Sequence, residues 1–94
     1  MRDDEPDVVE LLIKHELAIK QLYEAFAAMF ADRQGFWQAL AREEQQHADS
    51  LRTLRSESTI GIGLLNRQYK AQAIETSIGY VESQIVRAQT IKLS

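Results

Sequence analysis

Cysteine is missing from the 94-residue sequence, and proline and glycine are scarce, with one and four residues respectively. The lack of cysteine excludes disulfides, iron–sulfur clusters and thiolate-bound zinc. With so few helix-breaking residues, long uninterrupted helices are favoured over many short strands. An excess of basic charge is also missing, since 14 acidic residues outnumber 11 basic ones. The sequence therefore carries no electrostatic signature of nucleic-acid or anionic-membrane binding.

Long hydrophobic runs are missing as well. The longest apolar stretches, residues 25–31 and 60–65, are far shorter than the roughly 20 residues that cross a bilayer. Residues 1–5 lack the basic start and apolar stretch of a signal peptide. We therefore expect a cytoplasmic protein with neither nucleic-acid nor membrane partners. The length allows a single domain over residues 1–94, and a chain this small gains stability from a partner.

The first periodic segment predicts a helix over about residues 6–31. Asp4 and Glu5 precede Pro6, an arrangement that suits a first helical turn. Apolar residues recur at spacings of three and four, which indicates an amphipathic helix, but Glu16 occupies one position of this seam. The seam comprises Val9, Leu12, Glu16, Ile19, Tyr23, Phe26 and Phe30, and the row beside it comprises Val8, Leu11, Ala18, Leu22, Ala25 and Met29.

The second segment predicts a helix over about residues 35–56 that folds back antiparallel on the first, because the turn between them, residues 32–35, is short. Ala41 and Ala48 flank its seam and would allow close approach. Two seam positions, Glu44 and His47, are polar. The seam comprises Trp37, Leu40, Glu44, His47, Leu51 and Leu54.

A third helix is predicted over about residues 64–89, after a connection at residues 56–63. Its apolar stripe is interrupted at Arg67, and Glu75 and Glu82 lie beside the stripe. The predicted fold is all-α: an antiparallel helical hairpin plus a third helix. Because three broad apolar stripes leave surface uncovered in one copy, we expect a homo-oligomer, a dimer or a higher even assembly.

Glu16, Glu44 and His47 require an explanation, because a carboxylate in an apolar seam costs several kcal/mol unless it is paired, neutralised or bound to metal. Glu44-Gln45-Gln46-His47 places a carboxylate and an imidazole one turn apart on one helix face. An exposed pair is the ordinary interpretation of such spacing, but the seam positions favour metal ligation. Without sulfur ligands, this donor set suits iron, manganese or zinc.

Two stretches of the sequence resemble the rubrerythrin/ferritin-like superfamily of di-iron proteins. Residues 16–23, from Glu16 to Tyr23, are similar to the Glu-then-Tyr stretch of its first helix. Residues 36–48, which contain an aromatic pair, Leu-Ala and Glu-Glu-x-x-His-Ala, resemble its second helix. The similarity covers roughly residues 8–55. It implies a ferritin-like fold and a di-metal centre that handles Fe(II), dioxygen or peroxide, with Glu16, Glu44 and His47 as ligands and catalytic residues.

The chain holds only half of the family's ligand set, because the usual four-helix bundle supplies a second Glu and a second Glu-x-x-His. Encapsulated ferritins are more similar, since they carry one half-set per chain and build the ferroxidase centre between subunits. The resemblance thus implies two iron ions in an intersubunit site, a bundle completed by oligomerisation, and an encapsulating shell protein as partner. A shell-targeting tail is not evident at residues 91–94. Two alternatives remain: a structural helical oligomer with a metal staple or no metal, and a fragment of a longer rubrerythrin-like protein.

Several other residues have two interpretations. Counted from the predicted turn, Glu16 differs in level from the second-helix ligands by about 6 to 10 Å. Glu24 lies at a better-matched level but off the seam, so it is a reserve ligand or a solvated carboxylate. Glu75 and Glu82 are extra ligands or flanking charges. His15 is interpreted as a solvent-exposed or rim histidine rather than a ligand. Tyr23 is interpreted as a core aromatic, as a hydrogen-bond donor to a ligand or as an electron carrier. Phe36 and Trp37 are expected to form a plug at the turn end of the hairpin.

Overall fold

The computed structural model describes residues 7–57, 62, 63, 65, 67 and 69–93, and this part of the chain is helical with no strand. Three long helices follow in order: α1 (Val8–Met29), α2 (Gln34–Glu57) and α3 (Ala71–Leu93), with a short 3-10 helix (Ala31–Arg33) between α1 and α2. The all-α prediction is confirmed for these residues. None of the described helices combines the length and the apolar character that a membrane span requires.

Asp7 caps the start of α1, where its Oδ1 accepts hydrogen bonds from the backbone N–H groups of Val9 at 3.0 Å and Glu10 at 3.3 Å. These bonds satisfy donors that have no partner within the first helical turn. The helix begins at Val8. Pro6, where the sequence predicts its start, lies outside the described residues. Asp4 and Glu5, which the sequence places before the first turn, also lie outside the described residues.

The turn between α1 and α2 differs from the predicted one. The first helix ends at Met29 rather than at residue 31, and Gly35 belongs to the first turn of α2. Among the described glycines none has a positive φ, so Gly35 is not used for a left-handed turn and continues the helix. A 3-10 turn makes the reversal instead, with Arg33 N–H donating to the Phe30 carbonyl at 2.9 Å.

The third long helix begins later than predicted, at Ala71, and ends at Leu93 rather than at residue 89. Leu65 and Arg67 are helical, but Tyr69 forms a bend and Lys70 is not helical. The bend separates residues 62–67 from α3. Leu64, the predicted first residue, and residues 58–61 of the predicted connection lie outside the described residues.

Helix α1 lies between α2 and α3, and no Cα atom of α2 lies within 8 Å of one in α3. The hairpin is antiparallel, because Tyr23 packs on Trp37 near the turn while Glu10 pairs with Arg55 at the opposite end. Helix α3 runs parallel to α1, since His15 bonds Ser77 while residues 25 and 88 line one groove further along both helices. The three helices therefore form an open layer and not a closed three-helix core.

The core of this layer is thin and built mainly from small residues. Of the described side chains larger than alanine, only Val9 is fully buried, and it forms a cluster with Ile13 and Ala48. Ala41 and Ala48 are both buried, as expected for residues that let helices approach closely. Several large apolar side chains stay exposed: Phe30, Phe36, Tyr69, Tyr80 and Val86. One copy thus leaves apolar surface uncovered, which favours association.

An ion-pair clamp fastens the open end of the hairpin. The guanidinium of Arg55 donates to the carboxylates of both Asp7 and Glu10. We expect Arg55→Ala to lower the free energy of unfolding by about 1 kcal/mol, since it removes two partly exposed pairs and loosens the helix cap. Thermal unfolding would measure this. Arg52→Ala is the matched control because, among the described residues, Arg52 pairs only with Asp49 on its own helix. Equal losses in both variants would contradict the clamp.

Candidate metal centre

The two helices of the hairpin bring Glu16 to the level of Glu44 and His47. Glu16 lies thirteen residues before Met29, the last residue of α1, and His47 lies thirteen residues after Gln34, the first residue of α2. The axial mismatch expected from the sequence disappears for His47 and falls to about 4.5 Å for Glu44, because α1 ends earlier and α2 begins earlier than predicted. No sliding of one helix along the other is needed to bring the three side chains together.

One ligand atom from each of Glu16, Glu44 and His47 lies within 4.8 Å of the other two. His47 Nδ1 is 3.6 Å from Glu16 Oε2 and 3.4 Å from Glu44 Oε2. Two ligand atoms that each sit about 2.1 Å from one ion are separated by about 3.0–3.4 Å. The distances therefore fit a single divalent cation after small side-chain movements.

The three side chains differ in exposure, and this gives the cluster an inner and an outer side. The Glu44 side chain is 14% exposed, that of Glu16 is 24% exposed and that of His47 is 58% exposed. Glu44 thus forms the floor, while His47 stands at the open side through which an ion or a small molecule can enter. Because the imidazole is accessible, it can bind metal without rearrangement of the helices.

The surroundings of the Glu44 carboxylate do not fully compensate its negative charge. Burial, reinforced by the neighbouring Glu16 carboxylate, raises the pKa of Glu44 from 4.5 to about 7, although His47 lowers it in part. Glu44 Oε2 is shielded from solvent and has no hydrogen-bond partner within the described part of the chain. A shielded oxygen without a partner is costly. A cation bound between Glu16, Glu44 and His47 would satisfy this oxygen, so the residues present fit a metal ion.

Tyr23 lies close enough to the cluster for the carboxylates to affect the pKa of its hydroxyl. Burial raises the pKa of the Tyr23 hydroxyl, and the nearby carboxylates of Glu44, Glu16 and Glu43 raise it further. Its ring packs against Trp37 with centroids 5.8 Å apart. Tyr23 is thus both a packed aromatic and a neighbour of the ligands. The structure gives its hydroxyl no hydrogen bond to another described residue, so the predicted bond to a ligand stays a prediction.

Trp37 is the centre of the aromatic cluster that closes the turn end of the hairpin. Its ring lies 4.9 Å from that of Phe26 and 5.1 Å from that of Phe36, measured between centroids. Trp37 Nε1 is shielded from solvent without a partner in the described part of the chain. The predicted aromatic plug is therefore present, but Phe36 itself is largely exposed.

The other candidate residues do not join the cluster. The group of carboxylates and histidine found among the described residues contains only Glu16, Glu44 and His47. Glu24 is exposed and lines a groove with Lys20 and Arg42, so its better-matched level predicted from the sequence does not bring it to the site.

The third-helix carboxylates and His15 are also placed elsewhere. Glu75 and Glu82 are exposed on α3. His15 is half-buried, and its Nε2 lies 2.7 Å from Ser77 Oγ, a contact that links α1 to α3. The sequence does not predict this contact, because the side of α1 on which α3 packs depends on residues far apart in the chain.

The raised pKa of Glu44 predicts that the metal-free protein loses stability as pH rises. A group whose pKa is higher in the folded state stabilises the fold while it is protonated, so this contribution is complete below pH 4.5 and is lost as pH rises through about 7. We expect urea denaturation with chelator present to show a decrease of about 1–3 kcal/mol in unfolding free energy between pH values of about 5 and 8. Glu44→Gln, which cannot ionise, is the matched control. A decrease of the same size in that variant would assign the effect to another group.

The chain matches no protein-family model, no curated protein and no solved structure.

Proposed function

We propose that this chain is a ferritin-like di-metal carboxylate protein that binds iron between two copies and oxidises Fe(II) with dioxygen or peroxide. The observation that supports this is the convergence of Glu16, Glu44 and His47 within 4.8 Å, on two helices whose periodicity calls for apolar residues at those positions. Carboxylate and imidazole donors suit iron, with manganese or zinc as alternatives.

A second copy supplies what one chain lacks. Three ligands cannot enclose two metal ions, whereas two symmetry-related sets give four Glu and two His, as in di-iron helical bundles. A two-fold axis beside Glu44 and His47 would bring these sets together, since such an interface is built from the same surface on both copies. Of the three long helices, α3 packs on a different side of α1 and leaves this surface uncovered.

The ligand-bearing surface of the hairpin, which we call the site face, is apolar around its ligands. Along both helices the ligands share stripes at spacings of four, three and four with half-buried apolar side chains: Leu12, Ile19, Tyr23, Leu40 and Leu51. The opposite side of the hairpin is polar. There Lys20 donates to Gln45 at 2.8 Å and Gln45 donates to Asp49 at 3.0 Å. The site face is therefore the side of the hairpin that association would dehydrate at least cost.

The carboxylates and the imidazole have different tasks in this proposal. Glu16 and Glu44 would hold the metal and place negative charge where it favours the higher oxidation state. His47 binds through a neutral nitrogen, which holds an ion without adding charge. Two bound iron ions would supply the electrons for reduction of the oxidant. The half-buried apolar residues of the site face would exclude bulk water after pairing, which strengthens these electrostatic effects.

Metal content and assembly mass test the proposal together. The purified protein would be loaded with Fe(II) under anaerobic conditions, desalted, and examined by elemental analysis and by sedimentation velocity. We expect about one iron per chain in an even-numbered oligomer, since each half-set of ligands accounts for one of two ions. Oxidation of Fe(II) on exposure to air should then be faster than in buffer alone.

Other results would contradict the proposal in different ways. Zinc binding without iron oxidation indicates a structural staple, and the absence of any metal indicates a purely structural helical protein. A monomer that binds two iron ions would require ligands outside the three identified, and it would exclude a site shared between copies.

A further inference from the structure

A groove runs along the hairpin on the side opposite the site face. Its floor consists of the small side chains of Ala27, Ala28 and Ala41, of which Ala27 and Ala41 are buried. Because these methyl groups fill little of the space between the helices, the groove has a volume of about 580 Å³, which is within the range usual for ligand sites. We call it the polar groove, since polar side chains form its walls: Lys20, Glu24, Gln34, Gln38, Arg42 and Gln45.

Positive charge is concentrated at one end of the polar groove. Lys20 Nζ donates to Gln45 Oε1 at 2.8 Å, and Gln45 is itself fixed because its Nε2 donates to Asp49 at 3.0 Å. A neutral amide thus holds the ammonium in place without neutralising its charge. Arg42 lies about one turn of α2 before Gln45, and it forms no ion pair with another described residue. A lysine and an arginine at this end suit a carboxylate, which arginine can bind through two parallel hydrogen bonds.

The remainder of the groove is neutral and elongated. Gln38 and Gln34 continue its wall towards the turn, at four-residue intervals from Arg42. Four residues span about 6 Å of a helix, close to the roughly 6.6 Å that two residues of an extended chain span. Side-chain amides both donate and accept hydrogen bonds, as a peptide backbone does. A ligand that fills the groove therefore carries negative charge at one end and a neutral hydrogen-bonding chain behind it.

We infer that the polar groove binds the carboxyl-terminal end of an extended peptide, with the terminal carboxylate at Lys20 and Arg42. From Gln45 to Gln34 the wall is about 16 Å long, which accommodates about four or five extended residues. The alanine floor would admit small side chains. Capture of a terminal carboxylate is a recurring mode of peptide recognition. This binding does not depend on the proposed metal centre, which lies on the other side of the hairpin.

A short peptide with and without its terminal charge tests this assignment. The full chain, kept in chelator so that metal does not contribute, would be titrated with acetyl-tetraalanine as the free acid and as the amide. Chemical shifts of backbone amides in NMR spectra would follow binding. We expect the acid to shift the signals of groove residues and to bind roughly tenfold more tightly than the amide, because the amide lacks the charge that Lys20 and Arg42 attract.

Substitutions in the walls should reveal the dependence on charge. Arg42→Gln is expected to weaken binding of the acid roughly fivefold, which is the upper range for an exposed ion pair, and to leave binding of the amide unchanged. Glu24→Gln should strengthen binding of the acid, because Glu24 lines the groove and repels an anion. Arg87→Gln is the matched control, since Arg87 is exposed on α3 and does not line the groove.

Several results would overturn the assignment. Equal binding of the acid and the amide would mean that the groove does not recognise a carboxylate. If N-acetylalanine binds as tightly as the tetrapeptide, the charged end holds a small anion and the groove does not bind a peptide. Failure of the acid to bind wild type, or loss of binding in Arg87→Gln but not in Arg42→Gln, would exclude the polar groove as the site. These results leave the proposed function untouched, since iron content and iron oxidation test it separately.

Discussion

Replacing Glu44 by alanine is expected to abolish iron binding and the oxidation of Fe(II). Glu44 is the most enclosed of the three candidate ligands, and under the proposed pairing the change removes two equivalent carboxylates from each pair of chains. Elemental analysis should fall from about one iron per chain to background. The stabilisation of wild type by Fe(II), about 2.7 kcal/mol at a hundredfold excess over the dissociation constant, should disappear from thermal unfolding curves.

Glu24→Ala is the matched control for this loss. Glu24 is a carboxylate on the same hairpin that the sequence offered as a reserve ligand, but it is exposed and lies outside the cluster. We expect this variant to bind iron and to be stabilised by it as wild type is. Iron retained by Glu44→Ala and lost by Glu24→Ala would mean that the ligands come from the other side of the hairpin.

The two-helix hairpin and its three polar seam residues could be predicted because helical periodicity is a local property of the sequence. Spacings of three and four define which residues share a face, and Glu16, Glu44 and His47 stand out because apolar residues surround them on the same stripes. Once a short turn makes α1 and α2 antiparallel neighbours, these stripes can lie side by side on one surface of the hairpin. The juxtaposition of the three side chains follows from these two facts.

The ends of the helices are predicted less accurately than their periodicity, and this error changed the expected geometry of the site. The sequence predicts that Gly35 is part of a turn, because glycine favours turns, but its backbone is helical and the reversal occurs at residues 30–33. That shift of a few residues accounts for the axial mismatch expected between Glu16 and His47. The start of α3 was misplaced for a related reason, since the apolar stripe runs through the bend at Tyr69.

The sequence also does not predict the side of α1 on which α3 packs. Helix α1 carries two adjacent apolar rows, and either could cover a third helix. In the structure Ala18 of the second row is buried, and its neighbours His15 and Ala25 lie against α3. The choice depends on contacts between residues far apart in the chain. Its consequence is that α3 does not cover the site face, which is a condition of the proposed shared metal centre.

Replacing Glu44 by leucine is expected to remove metal binding and yet stabilise the metal-free protein. The pKa of the carboxylate is raised to about 7, and its Oε2 has no hydrogen-bond partner in the described part of the chain. In the absence of metal the ionised carboxylate therefore opposes folding. Leucine suits the apolar stripe of α2. Replacement of a poorly compensated charge by a well-packed apolar residue can stabilise by about 1–4 kcal/mol.

The pH dependence of this gain identifies its cause. Because the protonated Glu44 costs less than the ionised form, the advantage of Glu44→Leu should be small at pH values of about 5 and should grow as pH rises through about 7. Urea denaturation of both proteins in chelator would measure it, and Glu43→Leu, at an exposed neighbouring position, should show no such growth. If Glu44→Leu destabilises the metal-free protein at every pH, the Glu44 carboxylate does not oppose folding. If Fe(II) stabilises Glu44→Leu as strongly as wild type, Glu44 is not a ligand. The assignment of a metal centre to this hairpin would then be wrong.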